Sequence, residues 1–307
     1  MGSGMVHIHI GEGLHNIVYT GDFKFEKSKT LDASAHRFPR VETLIMESTY
    51  GATPVPYTLE ESEDMLAQKI TATINRGGKV LIPVPAIGRA QEIMLVLNKL
   101  LAEKKMSETP VFLDGLVIEA TSIHTAYPDF LASELQQRLR DGENVFMSEY
   151  FTAVRSESQR LEVLESRMPA VVMSTSGMLE GGPAIRYFRE FAGDDLNSLI
   201  FVSYQVEGTL GRTLLKGSRE VTLINEEGKS EVINVRMEVD KVDGFSGHSS
   251  RQQLLSFLRR ITPKPQNLIL VHGEPESIGS LARSASKILN ANIYGPKNLE
   301  TILLHPS

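Results

Sequence analysis

Apolar and polar residues alternate at the start of the chain. Val6, Ile8 and Ile10 point to one side, His7 and His9 to the other. Gly11-Glu12-Gly13 breaks the run and Ile17-Val18-Tyr19 resumes it, which predicts a hairpin. A further strand, Thr43-Leu44-Ile45-Met46, ends at Glu47-Ser48-Thr49-Tyr50-Gly51. Past the prolines at 54 and 56 the period lengthens. Thr58 and Glu61 have capping-box spacing, and Met65, Leu66, Ile70 and Ile74 form the stripe of a helix that stops at Gly77-Gly78.

From there, short continuous apolar runs alternate with helical stripes. Strands are predicted over 79–83, 110–114, 170–174 and 199–203. Helices are predicted around Ile93 to Leu101, Phe130 to Leu139 and Pro183 to Phe191. Unbroken apolar strands between helices indicate a mainly parallel sheet covered on both faces. Beyond about residue 218 strands dominate again, with 221–224 and 232–235 flanking a turn at 225–228. A strand-like run then leads to His248, followed by a helix over 254–258, a strand over 268–271, a last helix, and a short strand near Ile293. The fold class is therefore α/β. A block over 52–237 interrupts a unit made of both chain ends, 1–51 and 238–307.

Composition narrows the chemistry. With 41% apolar and 23% charged residues the chain is globular. It has no cysteine, so disulfides, thiolate metal sites and a Cys nucleophile are excluded. It has no apolar run of about 18 residues and no basic segment ahead of an apolar core at its start, so it reads as cytoplasmic. The net charge of −6 argues against a general nucleic-acid coat but leaves room for a local basic groove.

Four polar residues stand where strand-like runs end: Asp22 after 17–20, Glu47 after 43–46, His248, and His272 after 268–271. Strand ends in α/β folds converge on ligand crevices. Asp and His side chains could hold a divalent ion. The ion would make hydroxide available near neutral pH, and the second His, oriented by Glu47, could protonate a leaving oxygen. Taken singly, each residue has an ordinary reading as a capping Asp or a structural His. A Rossmann-type nucleotide enzyme would want Gly-x-Gly-x-x-Gly after its first strand, and Ala86-Ile87-Gly88-Arg89-Ala90 lacks it.

Gly21-Asp22-Phe23, Glu47-Ser48-Thr49-Tyr50-Gly51, Phe245-Ser246-Gly247-His248 and Val271-His272-Gly273-Glu274 resemble four successive motifs of the metallo-β-lactamase-fold nucleases that carry a β-CASP domain. Gly88-Arg89-Ala90-Gln91-Glu92, Ser174-Thr175-Ser176-Gly177-Met178, and the segment from Tyr204 to Arg212 resemble the signatures of the β-CASP block. The order fits over essentially the whole chain. It is most similar to the archaeal cleavage and polyadenylation specificity factor group, relatives of the pre-mRNA 3′-end endonuclease. The resemblance implies a partial αββα sandwich with an inserted β-CASP domain, two zinc ions, single-stranded RNA as substrate, and a homodimer formed through the C-terminal segment at Asn298-Leu299-Glu300-Thr301. It implies metal ligation by Asp22 and His272, and catalysis by His248 held by Glu47. RNA contacts would come from Ser174, Ser176, Gly177 and Arg212. Backbone N–H groups in such a strand-to-helix turn suit a phosphate. An ordinary capped turn is the plainer reading of that loop, and a salt bridge to Glu92 is the plainer reading of Arg89.

The family's His-x-His-x-Asp-His motif has no counterpart. His7-Ile8-His9-Ile10-Gly11-Glu12 offers the wrong residues at the turn, and strand alternation accounts for its histidines. The chain therefore reads as a member lacking the family's first segment, with Met1-Gly2-Ser3-Gly4 matching that segment's tail. Asp22 and His272 alone fall short of the three or four protein ligands usual for zinc. Three consequences are expected: an inactive or trans-completed nuclease, apolar sheet surface left open to self-association, or, alternatively, a non-catalytic RNA-binding and dimerising subunit.

Overall fold

The computed structural model describes residues 3–52, 57–224 and 228–304. Contacts divide the chain into two compact units, Met1–Pro56 with Gly247–Ser307, and Tyr57–Ser246. The first opens with β1 (Val6–Ile10), β2 (His15–Tyr19) and β3 (Thr43–Glu47). The insertion runs α1 (Leu59–Asn75), β4 (Val80–Pro83), α2 (Arg89–Ala102), β5 (Val111–Asp114), α3 (Val117–Ala126), α4 (Ser133–Arg140), β6 (Phe151–Val154) and α5 (Glu157–Glu165). It continues with β7 (Val171–Ser174), α6 (Pro183–Phe191), β8 (Ser198–Phe201), α7 (Leu210–Leu215), β9 (Glu220–Ile224), β10 (Ser230–Asn234) and β11 (Glu238–Lys241). The first unit then resumes with α8 (Arg251–Arg260), β12 (Asn267–Val271), α9 (Pro275–Ala285) and β13 (Asn292–Tyr294).

The inserted unit is built on a parallel six-stranded sheet ordered β11-β8-β4-β7-β5-β6. The interior of its central strands β4, β7, β5 and β8 is apolar because each feeds two cores. Val80, Ile82, Val111, Leu113, Val171, Met173 and Ile200 pack into one core with residues of α1 and α2. Leu81, Val172, Leu199 and Phe201 point the other way and meet Tyr187, Phe188 and Phe191 of α6. The period-two alternation of a strand thus appears as membership of two cores rather than as apolar against polar. Thr58 caps α1 with the reciprocal bonds of a capping box.

In the first unit the order is β1-β2-β3-β12-β13. The hairpin pair is antiparallel and the other neighbours are parallel. Leu44, Met46, Leu268 and Leu270 face α8 and α9, where Phe257 is fully buried. Phe23 and Phe25 pack edge-on against Phe257, at 4.9 and 5.6 Å between ring centroids. At the sheet's edge Val6, Ile8 and Ile10 are all exposed.

Several predicted elements shift. The helix expected from Phe130 begins at Ser133, because Pro128–Phe130 is a separate 3-10 turn. The strand-like run before His248 is not a strand. Residues 242–250 form bends and irregular backbone after β11, and Ser250 caps α8. Of the turn predicted at 225–228, residues 225–227 lie outside the described residues, as do the prolines at 54 and 56. Five elements, α3, β6, α5, α7 and β11, carry no clear signal in the sequence.

His124, on α3, is a buried imidazole. Its Nδ1 donates to the Ala120 carbonyl at 2.7 Å, and Nε2 has no partner among the described residues. Burial pushes its pKa below the usual 6.5, against the opposing effect of the Ala120 bond. Protonation would add a buried, unpartnered donor. The unfolded chain therefore takes up this proton at a higher pH than the native state. Native stability is fully present above pH 6.5 and falls as the pH drops through the depressed folded value. Urea midpoints measured at pH 7.5 and 5.5 should fall in the wild type and stay closer together in His124→Leu.

Candidate metal centre

The first unit gathers Asp22, Glu47, His248 and His272 so that one donor atom from each lies within 4.8 Å of the others. Glu47 ends β3 and His272 follows β12, its in-register neighbour, where Val271 pairs with Glu47. Asp22 comes from the loop after β2. Asp22, Glu47 and His272 stand at or just after the ends of β2, β3 and β12, while His248 precedes the Ser250 cap of α8.

Glu47 is buried, 1% exposed, and its carboxylate is fully used. Oε1 accepts the Phe23 N–H at 3.0 Å. Oε2 accepts the Thr49 hydroxyl at 2.6 Å and His248 Nδ1–H at 2.8 Å. A buried carboxylate is tolerable only with such partners. Ser249, also buried, donates to the Phe23 carbonyl at 2.8 Å and accepts the Phe25 N–H at 2.9 Å. This clamp ties the Asp22 loop to the residue after His248. Lys24 reaches the His248 carbonyl at 3.2 Å.

Asp22 and His272 are the open pair, with side chains 53% and 54% exposed and Asp22 Oδ1 2.9 Å from His272 Nδ1. His272 has φ of 51°, the left-handed region that a non-glycine residue enters at a cost of about 1–2 kcal/mol. Gly273 follows because a Cβ there would lie 2.7 Å from the Ser48 carbonyl oxygen. The imidazoles of His248 and His272 are 5.4 Å apart. Carboxylate oxygen and imidazole nitrogen are donors a zinc ion accepts, so the donor set fits a divalent ion of that type. The open donors number two, with His248 and Glu47 adjacent but hydrogen-bonded to each other.

The other candidate residues lie in the inserted unit. Ser174 is the last residue of β7, fully buried, with its Oγ unpartnered among the described residues. It is therefore inside the loop, not on its surface. Ser176 Oγ accepts the Glu180 N–H at 2.9 Å. Gly177 must be glycine, because a Cβ would lie 2.6 Å from the Pro85 ring. Arg212, on α7, pairs with Glu207 at 3.3 Å. Its neighbour Gly211 donates to the Met178 carbonyl at 3.2 Å, so α7 and the Ser174–Gly182 loop are joined. Arg89 pairs with Glu92, and Gln91 caps the same helix by accepting the Gly88 N–H at 2.7 Å. The Gly-Arg-x-Gln-Glu element is thus internally paired. His7 and His9 stand apart from the centre. Each has a ring nitrogen engaged, by the Arg40 carbonyl and the Asn16 side chain respectively.

The sequence matches the Beta-Casp domain over residues 90–214. It matches the Zn-dependent metallo-hydrolase RNA specificity domain over residues 232–296. The chain belongs to the β-CASP family of metallo-β-lactamase fold. Similar proteins include one from Pyrococcus horikoshii, 48% identical over 306 residues, which are 99% of this chain and 47% of the relative. Others are from Methanocaldococcus jannaschii, 46% identical over 304 residues (98% and 48%), and from Lokiarchaeum sp., 46% identical over 307 residues (99% and 48%). All three are named transcription termination factor FttA. The chain spans about half the length of the curated relatives it matches. Among the described residues no helix is long and apolar enough to cross a membrane.

Two residues at the centre were not singled out from the sequence, Thr49 and Ser249. Thr49 lies inside the Glu47–Gly51 motif and bonds Glu47 two residues away, whereas Ser249 directly follows the motif ending at His248 and its partners are distant in sequence.

Proposed function

We propose that this chain carries part of the hydrolytic centre of a zinc-dependent endoribonuclease acting in RNA 3′-end formation. The observation that supports this is the convergence of Asp22, Glu47, His248 and His272 on one point, with Glu47 Oε2 accepting the His248 Nδ1–H at 2.8 Å. Asp22 and His272 would hold the metal, which when bound supplies Lewis acidity and an activated water at neutral pH. His248, fixed through Nδ1 by Glu47, presents its other ring nitrogen for proton transfer to the leaving oxygen. Ligands beyond this chain's two open donors complete the zinc sphere. The metallo-β-lactamase part corresponds to 1–51 and 238–307, and the β-CASP part to 52–237.

RNA binds the loop after β7. Ser176 and Gly177 supply the contact, with Arg212 beside them on α7. Ser174 shapes the loop from inside. Ser176→Asp, which places a carboxylate there, should weaken binding of a single-stranded RNA at low salt, read by fluorescence anisotropy. Unchanged affinity would remove the loop from the interface. The termination-factor names of the relatives are consistent with RNA released at transcript ends as the substrate. The protein is expected to form a homodimer through residues 298–301, measurable by light scattering.

The shortage of open ligands favours a second reading, a non-catalytic RNA-binding subunit with an inherited centre. RNA cleavage assayed with zinc and with chelator separates the two. Zinc-dependent cleavage supports the nuclease. RNA binding without cleavage under both conditions supports the subunit.

A further inference from the structure

Within the inserted unit, β9 pairs with β10 alone among the described residues. The register sets Glu220 opposite Asn234 and Ile224 opposite Ser230. Just beyond the ladder, the Val235 N–H donates to the Arg219 carbonyl at 2.8 Å. Bonded and non-bonded pairs alternate in an antiparallel ladder. Val221 with Ile233 and Leu223 with Glu231 are therefore the bonded pairs, and the backbone groups of Glu220, Thr222 and Ile224 point away from β10. Two of these outward carbonyls are taken. The Ser218 hydroxyl donates to that of Glu220 at 3.0 Å, and the Arg189 guanidinium to that of Ile224 at 2.9 Å. Between them, the Thr222 N–H and carbonyl have no partner among the described residues.

A groove of about 610 Å³ flanks this free edge. Residues 220–223 of β9 line it and no residue of β10 does. Its other wall is apolar, from Leu179 in the loop after β7, Ile185 of α6 and Leu210 of α7. The ionisable residues lining it are Glu180 and Glu220, both acidic. Glu180 is fixed there, because its Oε1 accepts the Leu210 N–H at 2.7 Å. Glu220 is exposed. A free strand edge is a template for another strand, and proteins usually blunt it with Lys, Pro or a bulge. β9 has neither Lys nor Pro, and its register is unbroken. We propose that this groove is the docking site for an extended basic peptide segment of a protein partner, which adds a strand to β9. The peptide backbone bonds the Thr222 N–H and carbonyl, and alternate side chains enter the apolar wall. Its Lys or Arg residues meet Glu180 and Glu220. The same carboxylates repel phosphates, so an RNA strand is the poorer occupant. Residues 220–223 span roughly 10 Å of strand, so the paired segment is short.

The probe is a fluorescein-labelled hexapeptide of alternating Lys and Val, with alternating Glu and Val as its counterpart, titrated with the full chain and read by anisotropy. Wild type should bind the Lys-Val peptide saturably and the Glu-Val peptide roughly tenfold more weakly or not at all. Thr222→Pro removes the outward N–H, a change that an edge strand accepts because no ladder bond is lost. It should weaken Lys-Val binding by roughly tenfold. Glu220→Lys leaves the backbone edge intact and should weaken the same binding by roughly fivefold at low salt. This second variant keeps the test decisive if dichroism shows the proline variant unfolded. Wild type that fails to distinguish the two peptides, a folded Thr222→Pro with wild-type affinity, or Glu220→Lys with wild-type affinity would each overturn the proposal. A single-stranded RNA whose affinity falls in folded Thr222→Pro as much as that of the peptide would assign the groove to RNA and also overturn it.

Discussion

His248→Ala is expected to lower zinc-dependent RNA cleavage by roughly 10²- to 10⁴-fold, the range for loss of a positioned proton donor, with little change in RNA affinity. His248 Nδ1 is bonded to Glu47 at 2.8 Å, and the ring is about a quarter exposed. Its loss leaves Glu47 with the Phe23 N–H and the Thr49 hydroxyl, so the buried carboxylate stays partnered and the unit stays folded. Glu47→Gln should produce a smaller loss, because the amide oxygen can still accept from Nδ1 while the charge is gone. Single-turnover cleavage and RNA anisotropy on the same preparations separate rate from binding. Equal losses of rate and affinity would mean that His248 binds RNA and does not transfer a proton.

The second large effect lies in the inserted unit. Asp114 ends β5 opposite Ser174 of β7 and is 1% exposed. Both of its oxygens are taken by Arg160, Nε at 2.7 Å and the second fork nitrogen at 3.0 Å, and Tyr187 adds its hydroxyl at 2.8 Å. The Asp114 carboxylate holds the Arg160 guanidinium above its ordinary range, and burial together with Asp114 does the same for the Tyr187 phenol. Asp114→Asn removes the charge and leaves part of a guanidinium and a phenol without their acceptor. Breaking a buried pair from one side costs about 3–5 kcal/mol. The lower end applies here, because Arg160 also pairs with Glu157. Adding Arg160→Met to Asp114→Asn should recover part of the loss, since an apolar pair of similar volume needs no counter-charge. Urea unfolding followed by far-UV dichroism gives both numbers. A double variant no more stable than the single one would mean that the cost comes from Tyr187, not from the stranded guanidinium.

The legible and illegible parts of this chain differ by the range of the interaction. The strands of the central sheet could be read because each is a short apolar run, and α1 because Thr58 and Glu61 write its start locally. The meeting of Asp22, Glu47, His248 and His272 was foreseeable because all four follow strand-like runs. The parallel pairing of β2, β3 and β12 then brings three of those ends to one edge. The helix α3 was hidden because its residue types do not follow its burial: Thr121 and His124 lie on the buried face while Ile123 and Ala126 are exposed, so no apolar stripe marks the period. The edge strand β6 sets exposed Thr152 between buried Phe151 and half-buried Ala153 over only four residues, too short for a pattern. Ser249 could not be read as a site residue because its bonds reach Phe23 and Phe25 across the chain, and Thr49's local bond to Glu47 gave no sign of its contacts with His248 and His272. The burial of Ser174 was also out of reach, because a serine at a strand end gives no sign of which way it faces.

The most direct test of the central claim is zinc titration of wild type beside the Asp22→Asn, His272→Ala double variant, with folding checked by dichroism. Both side chains are more than half exposed, so the double variant should keep its fold. The account predicts saturable zinc binding to wild type that is lost in the double variant. Identical isotherms for the two proteins would contradict it, and would show that these residues are not the metal-holding pair of this centre.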